Sequence, residues 1–472
     1  MNKEDICFMS ALEMREKIKT QELTSLEITE TIIERINKIN PIINAYCTPT
    51  FDLAREMATE ADKRVKNGEK VGLLNGIPTS IKDLNNVKGV RTTFGSKIYE
   101  NFIPEEDSVV TSRLRNEGCV ILGKTNAPEF GFKAVTDNLI FGASKNPWNL
   151  GRTTGGSSGG AAGAAASGIS PLAQGSDGGG SIRHPAGLCG LYGLKPNFGR
   201  VPLYPRKFIA AYDLGVVGPI VRHVKDAALM LDAMKGPFEK EMFMLPHDNV
   251  SYFETVDDKP KNLKIGYSTT LGYAKYVDSE VKSSVEESAH KLEEFSWNVE
   301  EVNMKIKKPE RSFLTLWSSL FAYDLKPFLK NWRDKMDPAM VKLIEAASSY
   351  GPFDLPKAIK ERKKFNESFM SYFQNYDIFI TPTTAVVAFE LGIPWALEIN
   401  GIKVSPTAWQ PFSYPFNMTG QPAATIPCGW SSDGLPIGMQ IVGKLYDEKT
   451  VLQVSKAFED ISPWQDKRPI FN

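Results

Sequence analysis

Residues 155–168 read GGSSGGAAGAAASG, and this tract restricts the possible folds more than any other part of the chain. Its glycines and serines resemble a flexible linker in composition. However, the tract continues into an alanine-rich segment, and alanine is a strong helix former with a very small side chain. A helix with such a surface can pack very close to neighbouring backbone inside a core. We therefore predict a glycine loop that opens a buried helix.

Charge and composition indicate a protein that acts on a small neutral molecule. The 472 residues contain 56 Lys and Arg against 56 Asp and Glu, so the formal net charge is zero. This balance gives no electrostatic reason to bind nucleic acid or an anionic membrane. The charged start, MNKEDICFMS, lacks the features of a secretory signal, and no apolar run approaches the length of about 18 residues that a membrane span needs. We expect a cytoplasmic protein.

Cysteine and histidine are too few and too scattered to indicate a metal site. The five cysteines have no CxxC spacing, which argues against both a disulfide framework and a zinc site. Only four histidines are present: His184, His223, His247 and His290. We therefore expect reduced thiols and no bound metal, and catalysis would have few histidines to use.

Helix and strand signals alternate along the chain. Thr24 and Glu27 form a capping box ahead of an apolar stripe that we expect to end before Pro41, and Asp278 is a second predicted N-cap. Further helices are predicted over residues 51–65 and within 305–375, and strands within 71–83, 113–126, 261–268, 377–383 and on both sides of the SSDG turn at 431–434. The alternation predicts one mixed α/β domain over residues 1–472.

The segment GCVILGKT at residues 118–125 formally matches the GxxxxGK[ST] pattern of a nucleotide-binding phosphate loop. A phosphate cradle needs a turning loop with free backbone N–H groups before its lysine. The CVIL run is instead typical of a strand, whose N–H groups bond to neighbouring strands. We therefore predict a strand and no nucleotide site.

The segment GSSGG, centred on Ser158, matches the GxSxG nucleophile elbow of α/β-hydrolases. That elbow follows a strand and depends on a later histidine, whereas the preceding KNPWNLGRTT is rich in turn formers. His247 and His290 lie in charged contexts typical of solvated side chains. His184 lies only three residues after Ser181, along a tight turn, so we expect it to be structural rather than a base.

Several segments together resemble the amidase signature family. The most specific are GRTTGGSSGG at residues 151–160 and GSDGGGSIRHPAGLCGLYGLKP at residues 175–196. Upstream GIPTSIKD, GKTNAPEFG and NPWN, and downstream PFNMTGQPAATIPCG and GLPIGMQIVG, are similar to further elements of that family in the same order. The resemblance implies an α/β fold with a large mixed central sheet covered by helices on both faces, and a signature core at about residues 70–205. Residues 235–375 match only weakly.

The resemblance implies an amide hydrolase with Ser181 as nucleophile, Ser157 as a bridging serine held by a cis peptide bond, and Lys82 as the base. A lysine can act as a base when burial lowers its pKa, because the charged form loses hydration. The apolar neighbours Ile77, Pro78 and Ile81 agree with such burial. The adjacent Asp83 would favour the charged form, but neighbouring side chains of a strand point to opposite faces.

The glycine loop before the nucleophile has a predicted role of its own. Gly178, Gly179 and Gly180 can adopt conformations closed to other residues, and their N–H groups, with that of Ser181, are expected to form an oxyanion hole. The resemblance implies that Asp177 and Arg183 form a structural pair that holds this turn. The family commonly has DTGGS or DIGGS here, and this chain departs from it with DGGGS.

The resemblance also indicates the substrate. It implies substrate contacts for Gly131, Phe132 and Ser176, and small hydrophobic or aminoalkyl amides as substrates, as for the stand-alone amidases that include cyclic nylon-oligomer hydrolases. Aromatic residues are candidates for lining an apolar acyl pocket. These are Phe130, Phe132, Trp409, Phe412 and Tyr414.

Two other functions stay open from the sequence. One is a glutaminase subunit of a transfer-RNA amidotransferase, which would need partner chains. The other is a non-catalytic scaffold subunit that kept the fold. No cofactor is implied by the serine and lysine chemistry, and the family resemblance makes a homodimer an expectation only.

Overall fold

Eleven strands form one mixed β-sheet in the computed structural model, which describes residues 2–205, 208 and 212–471. The strands are β1 (Tyr46–Pro49), β2 (Pro78–Lys82), β3 (Val120–Thr125), β4 (Lys145–Asn146), β5 (Asn149–Thr153), β6 (Leu172–Asp177), β7 (Tyr192–Lys195), β8 (Val216–Val221), β9 (Lys264–Tyr267), β10 (Asn298–Glu301), β11 (Ile378–Pro382), β12 (Glu398–Ile399), β13 (Ile402–Lys403), β14 (Ala423–Trp430) and β15 (Pro436–Gly443). Across the sheet they run in the order β1-β3-β2-β6-β8-β7-β14-β15-β11-β9-β10, while β4 with β5 and β12 with β13 form separate pairs. Strands β3, β2 and β6 are mutually parallel, and β6, β8, β7, β14, β15 and β11 are successively antiparallel.

The helices cover both faces of this sheet. They are α1 (Lys3–Phe8), α2 (Ala11–Lys19), α3 (Ser25–Ile43), α4 (Phe51–Lys66), α5 (Val109–Asn116), α6 (Gly159–Ala166), α7 (Arg183–Leu188), α8 (Val224–Met234), α9 (Tyr252–Thr255), α10 (Ser279–Lys291), α11 (Glu310–Leu325), α12 (Leu329–Trp332), α13 (Pro338–Ala347), α14 (Asp354–Met370), α15 (Tyr414–Thr419) and α16 (Glu448–Ile461). Ile121 of β3 packs into the core formed with α5, α8, α10 and α16, and its neighbours Val120 and Leu122 pack into a core with α3 and α4. This alternation confirms the mixed α/β sheet with helices on both faces.

The tract at residues 155–168 folds as predicted. Its alanines form α6, and every residue of this helix is buried. At Gly160 an ideal Cβ would lie 2.4 Å from the backbone nitrogen of Asn126, so only a glycine allows the helix to approach that backbone. The small side chains therefore bring the serines that precede α6 against the ends of the central strands.

The first long helix confirms its predicted start but not its predicted end. Thr24 and Glu27 make the capping box. The helix does not stop before Pro41, because α3 continues to Ile43. Pro41 lies in the last turn, where its missing N–H removes a single hydrogen bond, and the helix ends instead at Asn44, which is left-handed and donates its N–H to the Asn40 carbonyl at 2.8 Å.

Residues 305–375 form the predicted helical region, with α11 to α14 inside it. In the described part of the chain, none of the helices combines the length and apolar character of a membrane-spanning segment.

Candidate active site

Lys82 is the last residue of β2, and its side chain is fully buried. Three serine hydroxyls surround its amine. Nζ lies 2.7 Å from Oγ of Ser157, 2.8 Å from Oγ of Ser158 and 3.0 Å from Oγ of Ser176. Ser157 and Ser158 precede α6 and Ser176 lies on β6, so the parallel strands β2 and β6 and the close approach of α6 bring these groups together.

The hydrogen bonds around Ser158 fix one contact of the Lys82 amine and allow an orientation of a neutral amine in which its lone pair faces Ser157. Ser158 Oγ donates its single hydrogen to the Ser176 carbonyl at 3.2 Å, so towards Lys82 it acts as an acceptor. A neutral amine has two N–H donors and one lone pair. With its donors directed to Ser158 and to Ser176 Oγ, the lone pair is left for the Ser157 hydroxyl. This is the direction in which a base must accept a proton.

Burial lowers the pKa of Lys82 to about 7, and the negative charge of Asp177 opposes the shift only in part. Asp83, the next residue along the chain, does not pair with Lys82. Its carboxylate accepts a hydrogen bond from Lys124 Nζ at 3.1 Å and from the Thr93 N–H at 3.0 Å. The expectation that Asp83 points away from the base is confirmed.

The segment 118–125 is strand β3 with the preceding turn, as predicted, and its Lys124 is buried in the ion pair with Asp83. Ser158 contacts the lysine and directly precedes α6, but β5 ends at Thr153, so a loop rather than a sharp strand-to-helix turn leads to Ser158. His290 is half exposed and contacts Glu293. All five cysteines are free, and within the described residues no three His, Cys, Asp or Glu side chains are grouped as a metal ion would need.

Asp177 and Arg183 flank the glycine loop and form a completely buried ion pair. The pair is bidentate, with Nε donating to Oδ2 at 2.9 Å and Nη2 to Oδ1 at 3.0 Å. Burial alone would raise the pKa of Asp177, but the Arg183 guanidinium outweighs it and holds that pKa well below the usual range. The pair is therefore not a surface salt bridge, and it fixes both ends of the loop.

The loop between them differs from the prediction at one residue. The N–H of Gly180 donates to Asp177 Oδ1 at 2.7 Å, so it is occupied and cannot serve an oxyanion in this geometry. The N–H groups of Gly178, Gly179 and Ser181 donate to no acceptor among the described residues. Three of the four expected donors are thus free, and Gly180 has a structural role.

Ser181 and Ser157 line the same cavity. The peptide bond between Gly156 and Ser157 is cis. Within the described chain no hydrogen bond joins the two hydroxyls, although the Ser158 N–H donates to the Ser181 carbonyl at 3.2 Å and holds the two segments together.

The cavity has a volume of about 150 Å³, with the serines and Gly178 at its polar end. Gly131 and Ser176, for which substrate contacts are predicted, line it. The aromatic part of its wall consists of Phe94, Phe130, Phe208, Trp317 and Phe321. The shape and lining suit an apolar group attached to a small polar one.

Several predicted pocket residues lie elsewhere. Phe132 is packed beneath the cavity wall, where its carbonyl accepts a hydrogen bond from Trp317 Nε1 at 3.2 Å. Trp409 and Phe412 are fully buried in a separate core cluster, and Tyr414 is stacked under Phe313 at 4.8 Å between ring centroids. An aromatic residue near the site in sequence is more often used for packing than for contacting a ligand.

Sequence reasoning missed Asn85 and the aromatic residues of α11. Phe313, Trp317 and Phe321 recur every four residues, which places them on one face of the helix, and the last two line the cavity. This spacing was visible in the sequence, but the region matches the family weakly and gave no reason to place α11 over the site. Asn85 follows Lys82 closely in the sequence and lines the cavity. Its side-chain Nδ2 donates to Gln174 Oε1 at 3.1 Å, so its side-chain oxygen points away from Gln174.

A family model described as Amidase matches residues 27–452 of this chain. The chain belongs to the amidase signature family. The amidase is 36% identical over 476 residues to an acylamidase of Rhodococcus erythropolis, and the match covers 99% of this chain and 98% of the relative. It is also 35% identical over 485 residues to a glutamyl-tRNA(Gln) amidotransferase subunit of Sulfurihydrogenibium sp. (strain YO3AOP1), with 98% of each chain covered.

Solved structures support the same assignment. A bacterial aryl acylamidase of the amidase signature family superposes with a TM-score of 0.91 at 30% identity, covering 98% of the amidase and 99% of that chain. A 6-aminohexanoate cyclic dimer hydrolase in complex with its substrate superposes with a TM-score of 0.90 at 28% identity and the same coverage. The predicted family is confirmed, and stand-alone amidases are among the relatives. The chain is therefore an enzyme that hydrolyses amides.

Proposed function

We propose that this amidase cleaves small hydrophobic or aminoalkyl amides through an acyl-enzyme, with Ser181 as nucleophile, Ser157 as proton relay and Lys82 as base. The observation that carries the proposal is the environment of Lys82. Its amine is fully buried, its pKa is lowered to about 7, and it lies 2.7 Å from the Ser157 hydroxyl. A neutral lysine in contact with a hydroxyl is a competent general base near neutral pH.

The proposed reaction begins when Lys82 accepts the Ser157 proton while Ser157 takes the proton of Ser181. The Ser181 oxygen then attacks the amide carbonyl and forms a tetrahedral intermediate. Ser157 gives a proton to the departing nitrogen and takes one back from protonated Lys82, the C–N bond breaks, and the acyl group stays on Ser181. Water repeats the sequence in place of Ser181 and releases the acid, which restores all three residues.

In this proposal the intermediate oxyanion accepts hydrogen bonds from the free N–H groups of Gly178, Gly179 and Ser181. Gly180 is not included, because its N–H is bonded to Asp177. Donors fixed in advance contribute strongly to catalysis, and the loss of one typically costs about a hundredfold in rate. The buried Asp177 and Arg183 supply that fixed geometry from beneath the loop.

The aromatic cavity wall supports an apolar substrate. Trp317 and Phe321 on α11 and Phe130 on the facing loop enclose a volume suited to a single ring or a short alkyl chain. The relatives include an aryl acylamidase and a 6-aminohexanoate cyclic dimer hydrolase, whose names indicate amides with apolar parts. We assign the aromatic wall to the acyl or amine substituent and the serine end to the scissile bond.

The amidotransferase relatives support a second candidate, in which the chain releases ammonia from glutamine for a partner enzyme. Assays of the purified chain without partner proteins distinguish the two candidate functions. Amine or ammonia release is measured against glutamine, aliphatic amides, acyl-anilides and aminohexanoate oligomers. We expect release from a non-glutamine class, whereas activity on glutamine only would favour the amidotransferase role.

The nucleophile is tested with a fluorophosphonate probe and Ser181→Ala. We expect labelling at Ser181 in the wild type, with loss of labelling and of hydrolysis in the variant. A matched control is Ser288→Ala, which removes a buried hydroxyl on α10 that donates to the Cys428 carbonyl at 3.0 Å. Labelling at another residue would refute the assignment of Ser181.

A further inference from the structure

The backbone carbonyls of the nucleophile loop are held by groups outside it. Four of the five carbonyls from Asp177 to Ser181 accept such a hydrogen bond: Asp177 from Asn417 Nδ2 at 3.0 Å, Gly179 from Ser413 Oγ at 2.8 Å, Gly180 from the His184 N–H at 2.7 Å, and Ser181 from the Ser158 N–H at 3.2 Å. Three consecutive glycines would otherwise leave this loop with great conformational freedom. These bonds therefore decide where its free N–H groups point.

The peptide unit between Gly179 and Gly180 is fixed at both ends. Its carbonyl accepts from Ser413 and its N–H donates to Asp177 Oδ1 at 2.7 Å, so the plane cannot rotate while both bonds exist. This unit lies between the two peptides that carry the free N–H groups of Gly179 and Ser181. Its orientation consequently sets the direction of both donors.

The Ser413 hydroxyl also contacts Nε2 of His184, and the chemistry of the two groups fixes the proton positions. A carbonyl only accepts, so Ser413 must donate its single hydrogen to Gly179. Towards His184 it is then the acceptor, and the histidine must carry its hydrogen on Nε2. Burial, with the neighbouring Arg183, lowers the pKa of His184 to about 3, so the ring is neutral at any working pH.

This tautomer leaves the other ring nitrogen without a partner. Nδ1 of His184 is buried and accepts no hydrogen bond from the described residues, and the ring packs against Trp409 at 5.2 Å between centroids. An unpaired buried acceptor destabilises a fold. Packing alone therefore does not explain why a histidine occupies this buried position. The polar contact that its ring makes is the hydrogen bond to Ser413.

We propose that His184 and Ser413 are positioning residues, which form a relay from Nε2–H through the serine hydroxyl to the Gly179 carbonyl and thereby aim the oxyanion donors. Neither residue lines the cavity that holds Ser157 and Ser181. The inference rests on the proposed function, since it assumes that Ser181 is the nucleophile. Gly180 is part of the same contact, because an ideal Cβ there would lie 2.3 Å from His184 Nε2 and 2.5 Å from Ser413 Oγ.

The proposal predicts a specific kinetic signature. Misdirected N–H groups weaken the binding of the tetrahedral intermediate but not of the planar substrate, so kcat falls while KM is unchanged. For Ser413→Ala and His184→Leu we expect kcat to fall about tenfold to a hundredfold, with KM within about twofold of the wild type. A trifluoromethyl ketone, which forms a tetrahedral adduct with a serine, should lose affinity by the same factor as kcat.

His184→Gln provides the rescue. Its carboxamide N–H can donate to Ser413 from about the same position as Nε2, so we expect it to recover most of the activity that His184→Leu loses. Ser288→Ala serves as the control for the removal of a buried hydroxyl bonded to a carbonyl, and should keep wild-type kcat. Thermal unfolding of all four variants separates a loss of fold from a loss of positioning.

The outcomes distinguish this inference from the proposed function. If the wild type hydrolyses amides with Ser181 labelled, but Ser413→Ala and His184→Leu keep full kcat, the relay is wrong and the proposed function stands. The relay is equally refuted if kcat and ketone affinity do not fall together, or if Gln and Leu at position 184 behave alike. If Ser181 is not labelled in the wild type, the proposed function fails and the relay with it.

Discussion

In the proposed mechanism, the pH dependence of kcat/KM follows the ionisation of Lys82. Burial lowers its pKa to about 7, and only the neutral amine can accept a proton from Ser157. Acid protonates the amine and removes the base, so the rate is expected to rise with pH through about 7 and then to stay constant. Asp177, the charge that opposes this shift, has a pKa far too low to titrate in the same range.

The expected size of the effect follows from that pKa of about 7. About half of the Lys82 amines are neutral at about pH 7, about a tenth at about pH 6 and about a hundredth at about pH 5. kcat/KM at about pH 5 should therefore be about a hundredth of its plateau value. A lysine with its ordinary pKa of 10.5 would instead give a rise of about tenfold per pH unit to about pH 10.

The assay is the initial rate of amine release from a neutral substrate between about pH 5 and about pH 10, with circular dichroism at each pH to confirm that the fold persists. Lys195→Met is the matched control, because burial lowers the pKa of Lys195 to about 7 as well. In this variant kcat/KM should rise over the same pH range as in the wild type. Lys82→Arg, whose guanidinium stays protonated, should be inactive throughout. A rate that climbs to about pH 10 without a plateau would refute the reasoning.

Three further predictions follow from the cavity, the loop and a buried acid. Trp317→Leu removes part of the aromatic wall, and KM for amides with an aryl substituent should rise about tenfold while KM for acetyl alkylamides changes little, as measured by steady-state kinetics. Gly180→Ala places a Cβ 2.3 Å from the His184 ring at a φ of +128°, so thermal unfolding should show a loss of about 3 kcal/mol or more, and an unchanged melting temperature would contradict the close contact. Burial raises the pKa of Glu459 from 4.5 to about 7, so the folded state binds its proton more tightly and loses stability as pH rises between those values. Glu459→Gln, which resembles the protonated form, should gain up to about 3 kcal/mol relative to the wild type between about pH 5 and about pH 8 in denaturant unfolding.

Elements with local signals could be predicted from the sequence. Thr24 caps α3 through its own side chain, and Asp278 accepts hydrogen bonds from the N–H groups of Glu280 and Val281 at the start of α10. The SSDG turn likewise joins β14 to β15, which pair antiparallel. In each case the interaction that decides the structure lies within a few residues, so the sequence contains all of it.

Side-chain direction depends on distant residues and could not be predicted in the same way. Phe130 lines the cavity and Phe132 does not, although they lie two residues apart. What separates them is the left-handed backbone at Phe130, with φ of +51°, and the hydrogen bond from Trp317 to the Phe132 carbonyl. Trp317 is far along the chain, in the region that matches the family only weakly. The direction of the Gly180 N–H could not be predicted for a related reason, because it depends on Asp177 in the folded loop.

Burial alone does not make a lysine a base, as the three fully buried lysines of the described chain show. Lys124 lies 3.1 Å from the Asp83 carboxylate, a partner that favours the charged amine. Lys195 has a pKa of about 7, but its amine donates to the Pro196 carbonyl at 3.0 Å, and a carbonyl has no proton to give. Lys82 combines the lowered pKa with serine hydroxyls around its amine. The chemistry therefore requires both a lysine without a paired carboxylate and a hydroxyl in contact with it, and among these three lysines only Lys82 has both.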